Sequence, residues 1–270
     1  MSTSPAPARP SRLSLAVRDS STMLRRNLLH ARRYPSLTLN LLLTPIMLLL
    51  LFVYVFGGTM SAGIGGGDRS DYIAYLVPGL LLMTIGSTTI GTAVSVSNDM
   101  TEGIIARFRT MAIHRGSVLV GHVVGSVLQS VISVVLVGAV GVAIGFRSTD
   151  ATALEWLAAF GLLVLFATAL TWIAVGMGLI SPNAEAASNN AMPLIFLPLI
   201  SSAFVPVDAM PGWFQPIAEY QPFTPAIETL RGLLLGTEIG ANGWLAVAWC
   251  LGLAALGYLW STAKFNADPK

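Results

Sequence analysis

The segment NDMTEGIIARFRTMAIHRGS, residues Asn98–Ser117, decides the organisation of this chain because it is polar and lies between two long apolar runs. The runs cover residues 75–96 and 118–146. Each is long enough to cross a hydrocarbon layer about 30 Å thick at about 1.5 Å of rise per residue. Within the segment, apolar residues recur at spacings of three and four, which predicts a short amphipathic helix. These residues are Ile104, Ile105, Phe108, Met111 and Ala112.

A rigid helix held between two membrane helices can act as a lever, because a protein that grips it moves both of them. The alternative is a solvated turn whose arginines only set the topology of the chain. Arg107 and Arg109 fall beside the apolar stripe, and both interpretations fit that charge.

The low charge content predicts an all-α membrane protein that crosses the bilayer several times. The 270 residues are 54% hydrophobic and only 10% charged, against about 25% charged in an average soluble domain. The apolar residues come in long blocks, whereas a transmembrane barrel would alternate apolar and polar residues over segments of about ten. We expect one transmembrane domain over 37–262 with six spans. The spans are predicted at about 37–56, 75–96, 118–146, 154–180, 191–205 and 244–260.

The segments before the first span and after the last are polar. Residues 1–10, rich in Ser, Pro and Ala, predict a disordered tail. The basic amphipathic stretch 11–36 predicts a helix that lies flat in the headgroup layer on the cytoplasmic face. Residues 263–270 form a second cytoplasmic tail.

Segment 208–243 differs from the rest because it is rich in prolines and aromatic residues. Thr224 followed by Pro225 favours the start of a helix, and Gly236 favours its end. About ten residues are too few to span the bilayer, so we expect short re-entrant or interfacial helices.

The distribution of basic residues predicts the orientation. Twelve of the 15 Lys and Arg residues fall in 1–36, 98–117, 181–190 and 261–270. Only Arg69, Arg147 and Arg231 fall in the other connecting segments. The positive-inside rule therefore predicts that both termini and the central segment face the cytoplasm of a plasma-membrane protein.

Several classes of activity are not supported by the sequence. No G-x-x-x-x-G-K-[ST] phosphate loop occurs, so we expect this chain to bind no ATP itself. Ionisable residues are nearly absent from the middle of the spans, which argues against an ion-coupled transporter. His122 and Glu155 lie near span ends, where an interfacial position is expected. We predict no catalytic residue, no metal site and no nucleic-acid partner.

Three stretches resemble a known family. The first is RNLLHARRYPSLTLNLLLTPIMLLLLFVYVFGG, Arg26–Gly58. The second is the pattern E-G-x-x-x-R-F-R-x-x-x-x-x-R within 102–115, and the third is F-x-P-x-x-x-M-P-x-W within Ser201–Gly236. Together they resemble the ABC-2-type exporter permeases, in particular the daunorubicin-resistance-type membrane subunits.

The resemblance implies a working complex of two permeases and two separate ATP-binding subunits. The second permease would be another copy of this chain or a related one, and ATP and Mg would be used by the ATP-binding subunits. Segment 98–117 would be the coupling helix that docks on an ATP-binding subunit. Its coupling residues would be Glu102, Gly103, Ile104, Ile105, Arg107, Phe108, Arg109 and Arg115.

Glu102 and Arg107 are the residues expected to make the polar contacts of that coupling helix. For Glu102 the alternative is a helix N-terminal charge that the helix dipole favours. The resemblance also implies that the short helices of 208–243 line an outer gate, formed by Pro211, Gly212, Trp213 and Phe214. For the two aromatic residues, anchoring at the membrane interface is the alternative.

The function that follows is export of an amphipathic, drug-like or lipid substrate, powered by a separate ATP-binding subunit. Membrane lipid is a further expected partner. A non-transporting membrane scaffold or assembly protein is the alternative, and it predicts no substrate-dependent ATP hydrolysis. A secondary transporter is a third possibility, and it predicts transport driven by an ion gradient.

Overall fold

The computed structural model describes residues 35–57, 69–101, 115–148 and 151–266. Over these ranges the chain is helical and contains no β-strand, which confirms the predicted all-α class. The predicted tail 1–10 and nearly all of the predicted interface helix 11–36 lie outside the described residues.

The helices follow one another with short connections. We label them α1 (Pro35–Leu51), α2 (Arg69–Thr101), α3 (Arg115–Ala143), α4 (Ala153–Ile180), α5 (Ala184–Ala191), α6 (Pro193–Phe196), α7 (Gln215–Tyr220), α8 (Phe223–Leu235) and α9 (Asn242–Asn266). A π-helical turn, Phe52–Phe56, continues α1. Short 3-10 turns cover Leu197–Ile200 and Val207–Ala209.

Four of these helices, namely α2, α3, α4 and α9, are long and apolar enough to cross a membrane. The first predicted span corresponds to α1 and its π-helical turn, and the apolar part described there, Leu43–Phe56, is shorter. The fifth, 191–205, is not one helix, because Pro193 and Pro198 each remove a backbone donor and the chain divides into α6 and a 3-10 turn. The count of six spans therefore stays a prediction.

Local sequence signals explain where α4 begins and where α8 ends. At the start of α4 the Thr152 hydroxyl accepts the Glu155 amide, while the Glu155 carboxylate accepts the Thr152 amide at 2.6 Å, a reciprocal cap. Helix α8 ends at Gly236, which has φ +70°, as the sequence predicts. It begins at Phe223, slightly before the predicted start.

Helix α2 is the centre of the fold. Inside its most apolar window 83% of the residues are buried, against 17% for α9. It packs against α1, α3, α4, α5, α6 and α8. A displacement of α2 is therefore felt by most of the described chain.

Small residues allow α2 to approach its neighbours closely. Gly79 and Gly86 are seven residues apart, so they share one face of the helix. A Cβ on Gly79 would lie 2.7 Å from the Cα of Ala203, and one on Gly86 would lie 2.5 Å from the carbonyl oxygen of Leu194. Both distances are too short for a real side chain, so the broken segment around α6 lies directly on α2.

Candidate functional site

The predicted coupling helix lies between the end of α2 at Thr101 and the start of α3 at Arg115. Of its expected coupling residues, those from Glu102 to Arg109 lie outside the described residues. Arg115 is the first residue of α3. What the structure shows is the pair of helices that hold this connection, residues 102–114.

Helices α2 and α3 form an antiparallel pair. Near the connection, Asp99 of α2 meets His122 of α3, and further along Thr88 meets Ser130 with their hydroxyl oxygens 2.6 Å apart. The matching order of these contacts places the two helices side by side over several turns. We call the end that carries the connection the insert end and the opposite end of α2 the far end.

The insert end is joined by a buried contact between a histidine and an aspartate side chain. Nε2 of His122 lies 2.9 Å from Oδ2 of Asp99, and the two side chains are 6% and 7% exposed, respectively. A buried carboxylate requires a hydrogen-bonded partner, because it has been removed from water. The contact therefore ties the last turn of α2 to the second turn of α3, directly beside the connection.

Two other segments that the sequence predicts on the cytoplasmic side also lie at the insert end. Ser97 of α2 donates to the carbonyl of Ser181 at 3.4 Å, which brings the turn between α4 and α5 there. Phe265, near the end of α9, packs in a small apolar cluster with Val96 and Leu119. The connection, this turn and the end of α9 thus share one end of the protein. That this end faces the cytoplasm stays a prediction.

The four predicted outer-gate residues form one local group in the structure. Pro211 to Phe214 form an exposed turn before α7, and Trp213 is 77% exposed. The rings of Trp213 and Phe214 pack edge to face with centroids 5.3 Å apart. No atom of the described residues lies within 4 Å of a Cβ built on Gly212. The four residues are together, and their exposure fits either a gate rim or an anchor at the membrane interface.

Arg231 of α8 is the most elaborately bonded residue at the far end. Its Nη2 donates to the carbonyl of Tyr75 at 3.0 Å and to the carbonyl of Ser202 at 3.1 Å. Its Nη1 lies 2.5 Å from Glu228, and its Cζ lies 3.8 Å from the centroid of the Tyr75 ring. The residue is 7% exposed. One guanidinium thus joins α8, α2 and the segment after α6.

The backbone of Ser202 is hydrogen-bonded through both its carbonyl and its amide. Its carbonyl also accepts the Tyr75 hydroxyl at 2.8 Å, and its amide donates to the Thr224 hydroxyl at 3.2 Å. Thr224 therefore does not cap α8 as the sequence predicts but bonds to a neighbouring segment. Three side chains from α2 and α8 thus hold the backbone of this single residue in place.

The sequence analysis did not predict the Asp99–His122 contact or the contacts of Arg231. It treats Arg231 as a loop charge that sets topology and His122 as a residue near an interface. A single arginine between apolar neighbours in a short helix is itself a signal, because an isolated buried charge needs several partners. The partners are backbone carbonyls distant in sequence, and no residue pattern reveals them.

The described contacts connect helices to one another. The insert end ties α2 to α3 beside the connection 102–114, and the far end ties α2 to α8 and to the segment after α6. Tyr75 and Asp99 lie about 36 Å apart along α2 at about 1.5 Å per residue. A continuous helix of this length can carry a displacement across the hydrocarbon layer.

These features define a class: a multi-pass helical membrane protein built around one buried helix. The particular family follows from comparison with known proteins. The chain belongs to the ABC-2 type transporter family, whose family model matches residues 19–235. The match includes the 98–117 segment and Arg231, and it confirms the resemblance found in the sequence.

Similar proteins are permeases by name. The chain is 30% identical to the daunorubicin resistance ABC transporter permease protein DrrB1 of Streptomyces coeruleorubidus, over 85% of this chain and 79% of that protein. It is 22% identical to the probable doxorubicin resistance ABC transporter permease protein DrrC of Mycobacterium tuberculosis, over 65% and 64%. It is 24% identical to the putative transport permease ycf38 of Cyanophora paradoxa, over 80% and 74%.

Proposed function

We propose that this chain is the permease subunit of an ATP-driven exporter that moves an amphipathic, drug-like or lipid molecule out of the cell. A separate ATP-binding subunit, present in two copies, hydrolyses ATP with Mg. The permease acts as a pair, with a second copy or a related permease. Family membership supports the transporter class, and the names of the relatives support a drug-like substrate.

One structural observation carries the proposed coupling. The two helices that flank 102–114 are antiparallel neighbours, and the buried Asp99–His122 pair joins them directly beside that connection. Because the pair ties the two helix ends together, a force applied to 98–117 moves α2 and α3 as a unit. Glu102 and Arg107 supply the polar contacts to the ATP-binding subunit in this proposal.

The outer faces of the helices support an amphipathic substrate. Hydroxyls buried along α2 bond to its own carbonyls, as Thr84 does to Leu80 at 2.7 Å and Ser87 does to Met83 at 3.0 Å. Large apolar side chains are exposed elsewhere, for example on α3 and α9. In a paired permease, such faces give an apolar wall between two chains along which a substrate with few charges can pass.

The test uses the chain copurified with its ATP-binding subunit and reconstituted in liposomes, with doxorubicin as the probe. We expect Glu102→Ala together with Arg107→Ala to reduce transport and permease-stimulated ATP hydrolysis about tenfold, because the variant loses about 1.4 kcal/mol of coupling free energy. Membrane insertion and expression should not change.

The matched control is Glu185→Ala together with Arg147→Ala, which removes the same charges at positions outside the 98–117 segment. It should transport at the parent rate. Parent-level transport by the Glu102 and Arg107 variant would contradict the coupling role. A scaffold that transports nothing would show no substrate-dependent ATP hydrolysis in any variant, including with lipid probes.

A further inference from the structure

We propose that Arg231 is a positioning residue that latches α8 to α2 and to the peptide at Ser202, and that the far end opens only when this latch is released. The inference rests on the proposed export function and assigns one residue to its gating. Arg231 touches no substrate in this proposal; it acts through the segments that it holds.

The geometry is that of a clamp between segments. The two hydrogen bonds that Arg231 makes outside α8 both come from Nη2, and both end on backbone carbonyls, those of Tyr75 and Ser202. A guanidinium can reach both because its donors lie in a fixed plane, whereas a lysine ammonium is a single point. The Tyr75 ring stacked on the guanidinium adds a cation–π contact to the same helix.

The clamp can open without leaving a charge unpaired. Glu228, which bonds Nη1, is three residues earlier on the same helix and has a 31% exposed side chain. When α8 moves, Arg231 and Glu228 therefore move together, and of the hydrogen bonds that Arg231 makes only those to the two carbonyls break. A buried arginine whose carboxylate partner stayed behind would oppose such a movement strongly.

One hydrogen-bond donor of Arg231 has no partner among the described residues. This donor is the Nε atom, which is buried. A buried donor without a partner weakens the closed arrangement relative to a fully bonded one.

The position of the latch links it to the rest of the protein. Ser202 lies beside Ala203, which packs so closely on Gly79 that a Cβ at Gly79 would be 2.7 Å from the Ala203 Cα. The segment after α6 therefore follows α2, while Arg231 follows α8. Any movement of α2 relative to α8 must break the Arg231 bonds.

The single cysteine of the chain makes a direct test possible. Cys250 is buried, so Cys250→Ala gives a background without thiols, and Ser202→Cys then introduces a reporter at a residue that is 2% exposed. The Ser202 hydroxyl has no partner among the described residues, so the substitution removes no described side-chain bond. The reporter is labelled with a water-soluble maleimide in lipid nanodiscs, where both membrane faces are accessible.

Labelling of the parent reporter without ATP should be slow. Arg231→Lys, which keeps the charge but cannot hold both carbonyls, should speed labelling about tenfold or more, since one charged hydrogen bond is worth at least that factor in an equilibrium. ATP hydrolysis should continue in this variant while the number of doxorubicin molecules transported per ATP falls. Tyr75→Phe, which removes only the hydroxyl bond to Ser202, should give a smaller increase in labelling.

Arg147→Lys is the matched control, because among the described residues the Arg147 guanidinium donates to carbonyls of its own segment, those of Val142 and Phe146. Its labelling and transport ratio should match the parent. Parent-like labelling in Arg231→Lys would overturn the latch, as would a proportional loss of transport and ATP hydrolysis with slow labelling. A parent that transports nothing would contradict the proposed function, but the labelling rates would still decide whether the latch exists.

Discussion

The two ends of α2 are fastened in different ways. At the insert end the fastening is between two side chains, Asp99 and His122, which come from neighbouring helices and are both buried. At the far end it is between one side chain, Arg231, and two backbone carbonyls, and the carboxylate that accompanies the arginine lies on the arginine's own helix.

Because of this difference, we expect the Asp99–His122 contact to persist and the Arg231 contacts to break during movement. Pulling Asp99 away from His122 would leave a carboxylate buried without that partner, which is strongly unfavourable. Pulling Arg231 away from α2 breaks two hydrogen bonds but leaves the ion pair with Glu228 intact. We expect the insert end to stay closed through the transport cycle and the far end to open.

The largest effect on stability is expected at the insert end. His122→Leu should lower the free energy of unfolding by about 3–5 kcal/mol, because Asp99 then stays buried without this partner. Asp99→Leu with His122→Leu should lower it by less than the two single variants together. Asp99 has a further interaction, so the double variant should not regain the full parent stability. The free energy of unfolding is measured in one detergent for the purified parent, the two single variants and the double variant.

Gln129→Leu is the control for the same helix, and a polar-to-apolar change outside such a pair is expected to stay within about 0.5 kcal/mol of the parent. If the double variant loses the sum of the single losses, Asp99 and His122 do not act together. The contrast between a joined insert end and a releasable far end would then have no basis.

A smaller effect is expected where α2 touches the broken segment. Gly86→Ala should lower the free energy of unfolding by about 1–3 kcal/mol, because the new methyl group would overlap the Leu194 carbonyl. The control is Gly161→Ala on α4, where no atom of the part of the chain that the structure describes lies within 4 Å of the added Cβ. There the change should stabilise the protein by about 0.5–1 kcal/mol, since alanine favours the helix.

Opposite signs for the two alanine variants would confirm that close approach, rather than glycine content, fixes α2 against its neighbours. Equal effects would show that the contact at Gly86 has no special weight.

Much of the fold follows from hydropathy, because an apolar run of membrane length has few alternatives. The spans predicted at 75–96, 118–146 and 154–180 correspond to α2, α3 and α4. Helix bounds are less well predicted: α2 begins at Arg69 and α9 reaches Asn266, because helices continue past the apolar layer into polar residues that a hydropathy signal does not include. The fifth predicted span is interrupted because its prolines break the hydrogen-bond ladder.

The candidate site is predicted less completely than the fold. Residues Pro211–Phe214 are found as a group from their local pattern, since they are neighbours in sequence. The Asp99–His122 contact depends on the register of two packed helices, and the Arg231 contacts depend on carbonyls far away in the chain. Such contacts are set by packing, which residue patterns do not encode.

The central claim is that force enters this protein through the segment between α2 and α3. The most direct measurement is photo-crosslinking in the complex with the copurified ATP-binding subunit, with a photoreactive phenylalanine analogue placed at Phe108 or, as a control, at Trp213. The account predicts an adduct with the ATP-binding subunit from position 108, a yield that changes when ATP is added, and no adduct from position 213. An assembled, ATP-hydrolysing complex that gives no adduct from position 108, or gives one from position 213, would contradict it.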